Sequence, residues 1–337
     1  MACIRPDRHG LWSVGNATST PPPRHRTHHL RPHATGGSCS ALLRWPLIPW
    51  RDRGSTRRGR PLGESRVDLS VPSAARMYDW LLGGAFNYEA DRAACQELLK
   101  KAPTTRALAR NNRWFLERVV HALADEYGVR RFLDFGSGLP TQNNVHQVAQ
   151  AVAPDARVVY VDNDPVVLGH GRSLLDANAN TAMVAGDMRD PASIFAAPEV
   201  KRLFTDEQSA GAPRAALFIS VLHCVKDTED PAGIVRQVTS RLNPGDYVVI
   251  CHLVSDDSDL RDSVTDLMQR ETHDNWGRVR ERHEVEALFE GLKVLSPGLV
   301  DVTDWRPDSE LRQHQRSVEW FDYGGLAQIP APEAVSR

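Results

Sequence analysis

Downstream of about residue 130, short apolar runs alternate with longer segments of helical period. The apolar runs cover 131–135, 157–162, 181–185, 215–222 and 247–253, and the helical segments between them cover 142–153, 165–178, 191–204 and 231–242. Such alternation predicts an α/β fold with a mostly parallel sheet and helices on both faces. Residues 68–127 have a helical pattern throughout. Pro72 suits a first helical turn and Gly83-Gly84 a termination. Thr104 suits the cap of a long helix that carries Trp114, Phe115, Val119 and Leu123 on one side. This predicts a helical cap over 68–128 ahead of the sheet. A helical insertion near 257–290 and two late strands, 292–295 and 320–327, complete the pattern, with no internal repeat.

Charge divides the chain at the same place. Residues 1–66 hold twelve arginines against Asp7, Asp52 and Glu64, a balance of about +9. The total of −2 therefore leaves about −11 for the rest. This first segment is rich in Pro and His and lacks any sustained period, which predicts a disordered leader preceding a single domain over 67–337. A nucleic-acid tail, a His metal tract and an upstream extension foreign to the functional protein are all open for it. The acidic body argues against general nucleic-acid binding. No run approaches the length of a membrane span, no secretory signal fits, and the five scattered cysteines form neither a disulfide framework nor a zinc site. These features predict a cytoplasmic protein without a metal.

The first strand runs Arg131-Phe132-Leu133-Asp134-Phe135 into Gly136-Ser137-Gly138. Glycines at such a strand-to-helix turn let a ligand approach the backbone. The second strand ends at Asp162, where a carboxylate can accept from both hydroxyls of a ribose. A glycine turn alone is weak, but strand, turn, helix, strand and terminal acid in order point to a nucleoside cofactor. Two residues argue against NAD. Thr141 stands where a dinucleotide fingerprint has its third glycine, and Asp134 is a poor neighbour for pyrophosphate. Asp134 suits a cationic amino group instead, which S-adenosylmethionine has.

The ends of the other strands supply further candidates. Asn163 and Asp164 follow Asp162, although Asp164-Pro165 also fits a helix cap. After the third strand, Asp187 could accept from an adenine amino group while Met188 packs the ring, or Asp187 could cap the helix that begins at Pro191. His223 follows the fourth strand, as a general base with an ordinary pKa near 6.5 or as a structural histidine. His252 is a weaker candidate of the same kind. Arg278, Arg280, Arg282 and His283 form a basic run of the sort that usually lies on a solvated face.

Several blocks together resemble the actinobacterial S-adenosylmethionine-dependent methyltransferases once catalogued as a domain of unknown function. They are 72–84 (Pro-Ser-Ala-Ala-Arg-Met-Tyr-Asp-Trp-Leu-Leu-Gly-Gly), Asn87 with Ala90-Asp91-Arg92, 109–113, 134–141, 144–146, 159–168 and 229–232. The resemblance implies a class I, Rossmann-like sheet whose last strand is antiparallel. It implies a cap that closes over the methionine end of the cofactor through Tyr78, Gly83, Gly84, Asn87 and Arg113, with Arg113 pairing the cofactor carboxylate. The expected activity is methyl transfer to a small-molecule acceptor of unidentified structure, with His223 as the catalytic candidate. A non-catalytic cofactor-binding regulator is the alternative.

Overall fold

Strand β1 (Arg131–Phe135) lies at the centre of an eight-stranded sheet and is buried at every position, as a strand covered on both faces must be. In the computed structural model of the chain, the described residues are 67–141, 143–175, 179–204, 211–308 and 317–331. The chain divides into two units, Met1–Pro61 and Leu62–Arg337, and all described residues belong to the second. The leader expected over 1–66 lies outside them.

Three helices precede the sheet: α1 (Ala74–Leu81), α2 (Glu89–Lys101) and α3 (Thr105–Asp125). Then α4 (Val145–Val152), β2 (Arg157–Asp162), α5 (Pro165–Leu175), β3 (Thr181–Ala185), α6 (Pro191–Ala196), α7 (Pro198–Phe204), β4 (Arg214–Ile219), α8 (Pro231–Thr239) and β5 (Tyr247–Val254) alternate. Next come α9 (Ser258–Glu271), α10 (Arg282–Glu286), β6 (Lys293–Val294), β7 (Val300–Asp301) and β8 (Phe321–Gln328). The order across the sheet is β3-β2-β1-β4-β5-β8-β6, with β7 also on β8. Strands β1 to β5 are parallel and β8 runs antiparallel to β5, as expected.

Alternate residues of each strand feed opposite cores. Phe132, Val158, Tyr160 and Leu217 pack with Phe115, Val119 and Leu123 of α3. Leu133, Val159, Phe218 and Ile250 pack with Ile194, Leu203 and Ile234 on the other face. A third cluster lies above the sheet, where Met77 and Leu98 of the cap meet Leu267 and Met268 of α9. The cap is anchored by Asp91, which is fully buried and accepts from the backbone N–H groups of Ser73 (3.0 Å) and Tyr88 (2.8 Å) and from Nε of the equally buried Arg76 (3.1 Å). The Ser73 hydroxyl donates to Asp164 (2.6 Å), so the start of α1 is fastened to the end of β2.

The structure departs from the expected elements in four places, each for a local reason. Strand β4 stops at Ile219 instead of reaching 222, because Ser220 takes a left-handed conformation (φ 53°) and a 3₁₀ turn follows at Leu222–Cys224. The expected helix 191–204 is two helices, because Ala197 precedes Pro198 and is extended (ψ 139°). Thr104 stands at the start of α3 without capping it, and its hydroxyl binds Glu319. The basic run is a solvated face only at Arg282 and His283, which are exposed. Arg280 is only 3% exposed, and Arg278 and Arg282 are engaged by Asp227, Glu284 and Asp256.

Candidate functional site

A cavity of about 620 Å³ opens at the carboxyl ends of β1, β2, β4 and β5, roofed by α1, α3 and the segment after α9. That is where ligands sit in open α/β sheets. Its size is ordinary for a small-molecule site. Asp134, Gly136, Ser137, Gly138, Asp162, Asn163, Met188, His223, Tyr78 and Arg113 all line it, so ten of the residues expected from sequence converge on one space.

The glycine turn is held rigidly. Gly136 and Gly138 are left-handed (φ 65° and 66°), and the N–H groups of Gly136 and Ser137 both donate to the Val161 carbonyl (2.8 and 3.1 Å). Gly138 N–H donates to Asp162 Oδ2 (2.9 Å), while Asp162 Oδ1 accepts from Asp164 N–H (2.9 Å). Asp162 is thus fixed by the turn that it flanks, and burial raises its pKa against these two bonds. A carboxylate offers about four acceptor positions, so these bonds leave capacity for a ligand.

Two features of the turn fit a cationic, hydroxyl-rich ligand. The Ser137 hydroxyl is buried without a hydrogen-bond partner. Asp134, 6% exposed, has its pKa pushed up to about 7 by burial, opposed by Arg113 and reinforced by Asp162. A carboxyl in that state is stabilised as an anion by any cation that enters. At Gly136 an added Cβ would sit 2.1 Å from Val221 Cγ2, so only glycine keeps this wall in place.

Four expected residues lie elsewhere. Asp187 is not part of the cavity wall; it accepts from Arg189, both from its backbone (2.9 Å) and its guanidinium (3.2 Å). The cap before Pro191 is Asp190, which accepts from Ser193 N–H (3.2 Å). Gly83, Gly84 and Asn87 fold around the buried Asp79: Asn87 Nδ2 and Phe86 N–H both donate to it (2.8 Å), and a Cβ on Gly84 would fall 2.0 Å from its Oδ1. Their spacing serves this loop, and none of the three borders the cavity.

His223 occupies the 3₁₀ turn, 5% exposed, with its ring centroid 4.5 Å from that of Trp276. Nδ1 is buried and without a hydrogen-bond partner. Burial, with Arg280 adding to it, lowers its pKa to about 3 rather than 6.5, so the ring is neutral at physiological pH. His252 is the satisfied one: Nδ1 bonds the Leu253 carbonyl (2.8 Å) and Nε2 accepts from Arg280 (2.6 Å). Arg113 donates to the Asn143 carbonyl (2.9 Å), and Tyr78, whose hydroxyl donates to the Ala109 carbonyl (3.1 Å), is kept protonated by burial.

Sequence reasoning missed Ser73, Ser220, Val221, Trp276 and Trp320, all of which line the cavity. Ser73 lay inside the quoted 72–84 block, so that signal was present. Trp276 sits in a loop with no periodic signal.

A family model described as S-adenosyl methyltransferase matches residues 62–330. Among solved structures the chain is similar to one from Thermobifida fusca YX provisionally assigned as a methyltransferase. They share 37% identity over 78% of this chain and 97% of that one, with TM-score 0.69. It is similar also to a DUF574 family protein from Streptomyces avermitilis MA-4680, at 37% identity over 79% of this chain and 100% of that one, with TM-score 0.69. The search of curated proteins gave no match. No helix among the described residues is long and apolar enough to cross a membrane.

Proposed function

The chain belongs to the S-adenosyl methyltransferase family, and from that premise we propose that it methylates a small-molecule acceptor held between the glycine turn and the helical cap. It is an S-adenosylmethionine-dependent methyltransferase; the acceptor and the residue roles are the proposal. When bound, the cofactor supplies a methyl group on a sulfonium whose loss leaves a neutral thioether. The reading rests chiefly on the pairing of the buried Asp134 carboxyl with the partnerless Ser137 hydroxyl at one turn. The proposed catalytic unit is 67–337, including the cap over 68–128, acting in the cytoplasm.

In this assignment Asp134 receives the cofactor's amino group, Arg113 its carboxylate, Asp162 and Asn163 the ribose, and Met188 packs on the adenine. Asp187 acts only through Arg189, which shares the cavity wall with Met188. Gly83, Gly84 and Asn87 position α1 rather than touch the cofactor. His223 orients the acceptor as a neutral hydrogen-bond acceptor. Transfer from a sulfonium needs little acid–base help, so positioning and exclusion of water carry most of the acceleration.

The test is calorimetric titration of the full chain with S-adenosylmethionine, S-adenosylhomocysteine and NADH. Binding of the first two alone is expected, and a preference for NADH would overturn the site. Asp162→Ala is expected to weaken S-adenosylhomocysteine binding by about 1.5–3 kcal/mol, the range for hydrogen bonds to charged groups. A folded variant with unchanged affinity would refute the ribose assignment.

Binding is also expected to depend on pH. The free Asp134 carboxyl titrates at about 7, and the bound state favours its anion, so affinity falls as pH drops through 7. The ligand's α-amino group keeps its charge through this range, because the adjacent carboxylate holds its pKa above that of a peptide N-terminus. Affinity for S-adenosylhomocysteine should be about tenfold weaker at pH 6 than at pH 8. Asp134→Asn should flatten the acid limb; a limb that persists in that variant belongs to another group.

A further inference from the structure

The charged residues lining the cavity cluster toward one side of it, and of these Arg189 reaches the Cys224 carbonyl (3.5 Å). Asp134, Asp162, Asp164, Arg113 and Arg189 stand at the ends of β1 to β3 and on the adjoining face of α3, while Asp68 and Arg76 border the start of α1. The opposite wall comes from the end of β4, from Leu253, from Met268, Thr272, Asn275 and Trp276, and from Trp320, and none of these lining residues carries a charge at neutral pH. Cys224 in this wall is held as a thiol, its pKa pushed up to about 12 by burial. Flat and polarisable groups dominate it: Trp276, Trp320 and the His223 ring, with Met77 and Met268 beside them. Such side chains favour the faces and edges of aromatic rings.

Ser220, Thr272 and Asn275 add polar groups to this wall, and two further polar atoms in it have no partner. His223 Nδ1 and Trp276 Nε1 are both buried and without hydrogen-bond partners, on rings whose centroids are 4.5 Å apart. The imidazole nitrogen accepts in the tautomer whose proton is on Nε2, and the indole nitrogen can only donate. A buried donor and acceptor left unpaired disfavour the empty site, so a ligand that satisfies both gains what the protein alone forgoes. A hydroxyl group does so with one atom, accepting from the indole N–H and donating to the imidazole.

From this division of the cavity, and resting on the cofactor placement given above, we propose that the methyl acceptor is an uncharged aromatic compound bearing a hydroxyl, which His223 and Trp276 bind and the neutral wall encloses. The acceptor oxygen uses a lone pair to take the methyl, and the electrons of the broken carbon–sulfur bond stay on the sulfur. The hydroxyl proton leaves through His223 Nδ1. With a neutral imidazole of low basicity, this proton moves only as positive charge develops on the oxygen, not beforehand. Apart from Arg189 at the edge by Cys224, carboxylated, phosphorylated and amine-bearing acceptors find no counter-charge in this wall.

The test titrates the full chain, saturated with S-adenosylhomocysteine, with 2-naphthol, 2-naphthoate and decahydro-2-naphthol. The expected order places 2-naphthol about tenfold or more ahead of 2-naphthoate, whose carboxylate would be buried unpaired, and ahead of the saturated alcohol. Trp276→Phe keeps the aromatic wall and removes the N–H; it should weaken 2-naphthol about fivefold and leave S-adenosylhomocysteine unchanged. Naphthoate or decahydronaphthol binding as well as 2-naphthol overturns the proposal even if the variant fails to fold. A normal S-adenosylhomocysteine isotherm with no 2-naphthol binding overturns it alone. Absence of both isotherms overturns the cofactor placement as well.

Discussion

Gly136→Ala is expected to weaken S-adenosylhomocysteine binding by at least about a hundredfold, and to destabilise the fold by about 2–3 kcal/mol. Two effects add. The left-handed φ of 65° disfavours any residue with a Cβ by about 1–2 kcal/mol. The new Cβ would also lie 2.1 Å from Val221 Cγ2 and 3.3 Å from Met188 Cε. Val221 cannot turn aside readily, because it is β-branched, buried, and joined to the left-handed Ser220 on one side and to the 3₁₀ turn on the other. The glycine turn must therefore open, moving the Ser137 and Gly138 N–H groups away from Val161 and Asp162. Gly138→Ala separates the two effects: its φ is 66°, but its Cβ meets nothing within 4 Å, so its stability loss should be only the backbone share. Calorimetry and thermal melting read both variants. Near-normal affinity in Gly136→Ala would show that the cofactor does not depend on this turn.

Arg280→Met should lower stability by about 1–3 kcal/mol, the cost of leaving the buried His252 Nε2 without its donor, since Asp227 is exposed and keeps Arg278. For a domain of this size that is a fall in Tm of roughly 2–8 °C. Arg280 donates to His252 Nε2 (2.6 Å) and Asp227 Oδ1 (2.7 Å), and at longer range to the Leu222 and Val225 carbonyls (both 3.4 Å). Those two carbonyls bracket His223, and Gly277 N–H donates to the His223 carbonyl itself (3.0 Å). The arginine is thus a positioning residue for the turn that carries His223. Its loss should lower kcat more than it raises the cofactor KM, since Asp134 and Asp162 stand on strands that it does not touch. An equal change in both would mean that the whole site had loosened.

His223 shows how far a residue type can be read without its surroundings. An imidazole after the fourth strand suggests a base near pH 6.5, and the position on the cavity wall is as expected. Its basicity is decided by burial and by Arg280, which lies 57 positions further along the chain and becomes its neighbour only through the return of the chain after α9. No pattern in either segment carries that information.

The glycine turn, Asp134, Asp162 and the parallel sheet were legible because each is a local requirement. Strand burial sets the apolar runs, a left-handed turn demands glycine, and a carboxylate at the end of β2 needs only the next few residues to fix it. The same locality misled for Gly83, Gly84 and Asn87: a glycine pair and an asparagine look alike whether they face a ligand or enclose Asp79. Arg280 within a basic run, Ser220 in a strained conformation and Trp276 in an aperiodic loop acquire their roles from residues far away in the chain. The sequence by itself determined the sheet, its turn and the cofactor that suits them. Only the tertiary structure decided which side of the cavity is charged and which is neutral, because that division depends on burial and on partners joined across long loops.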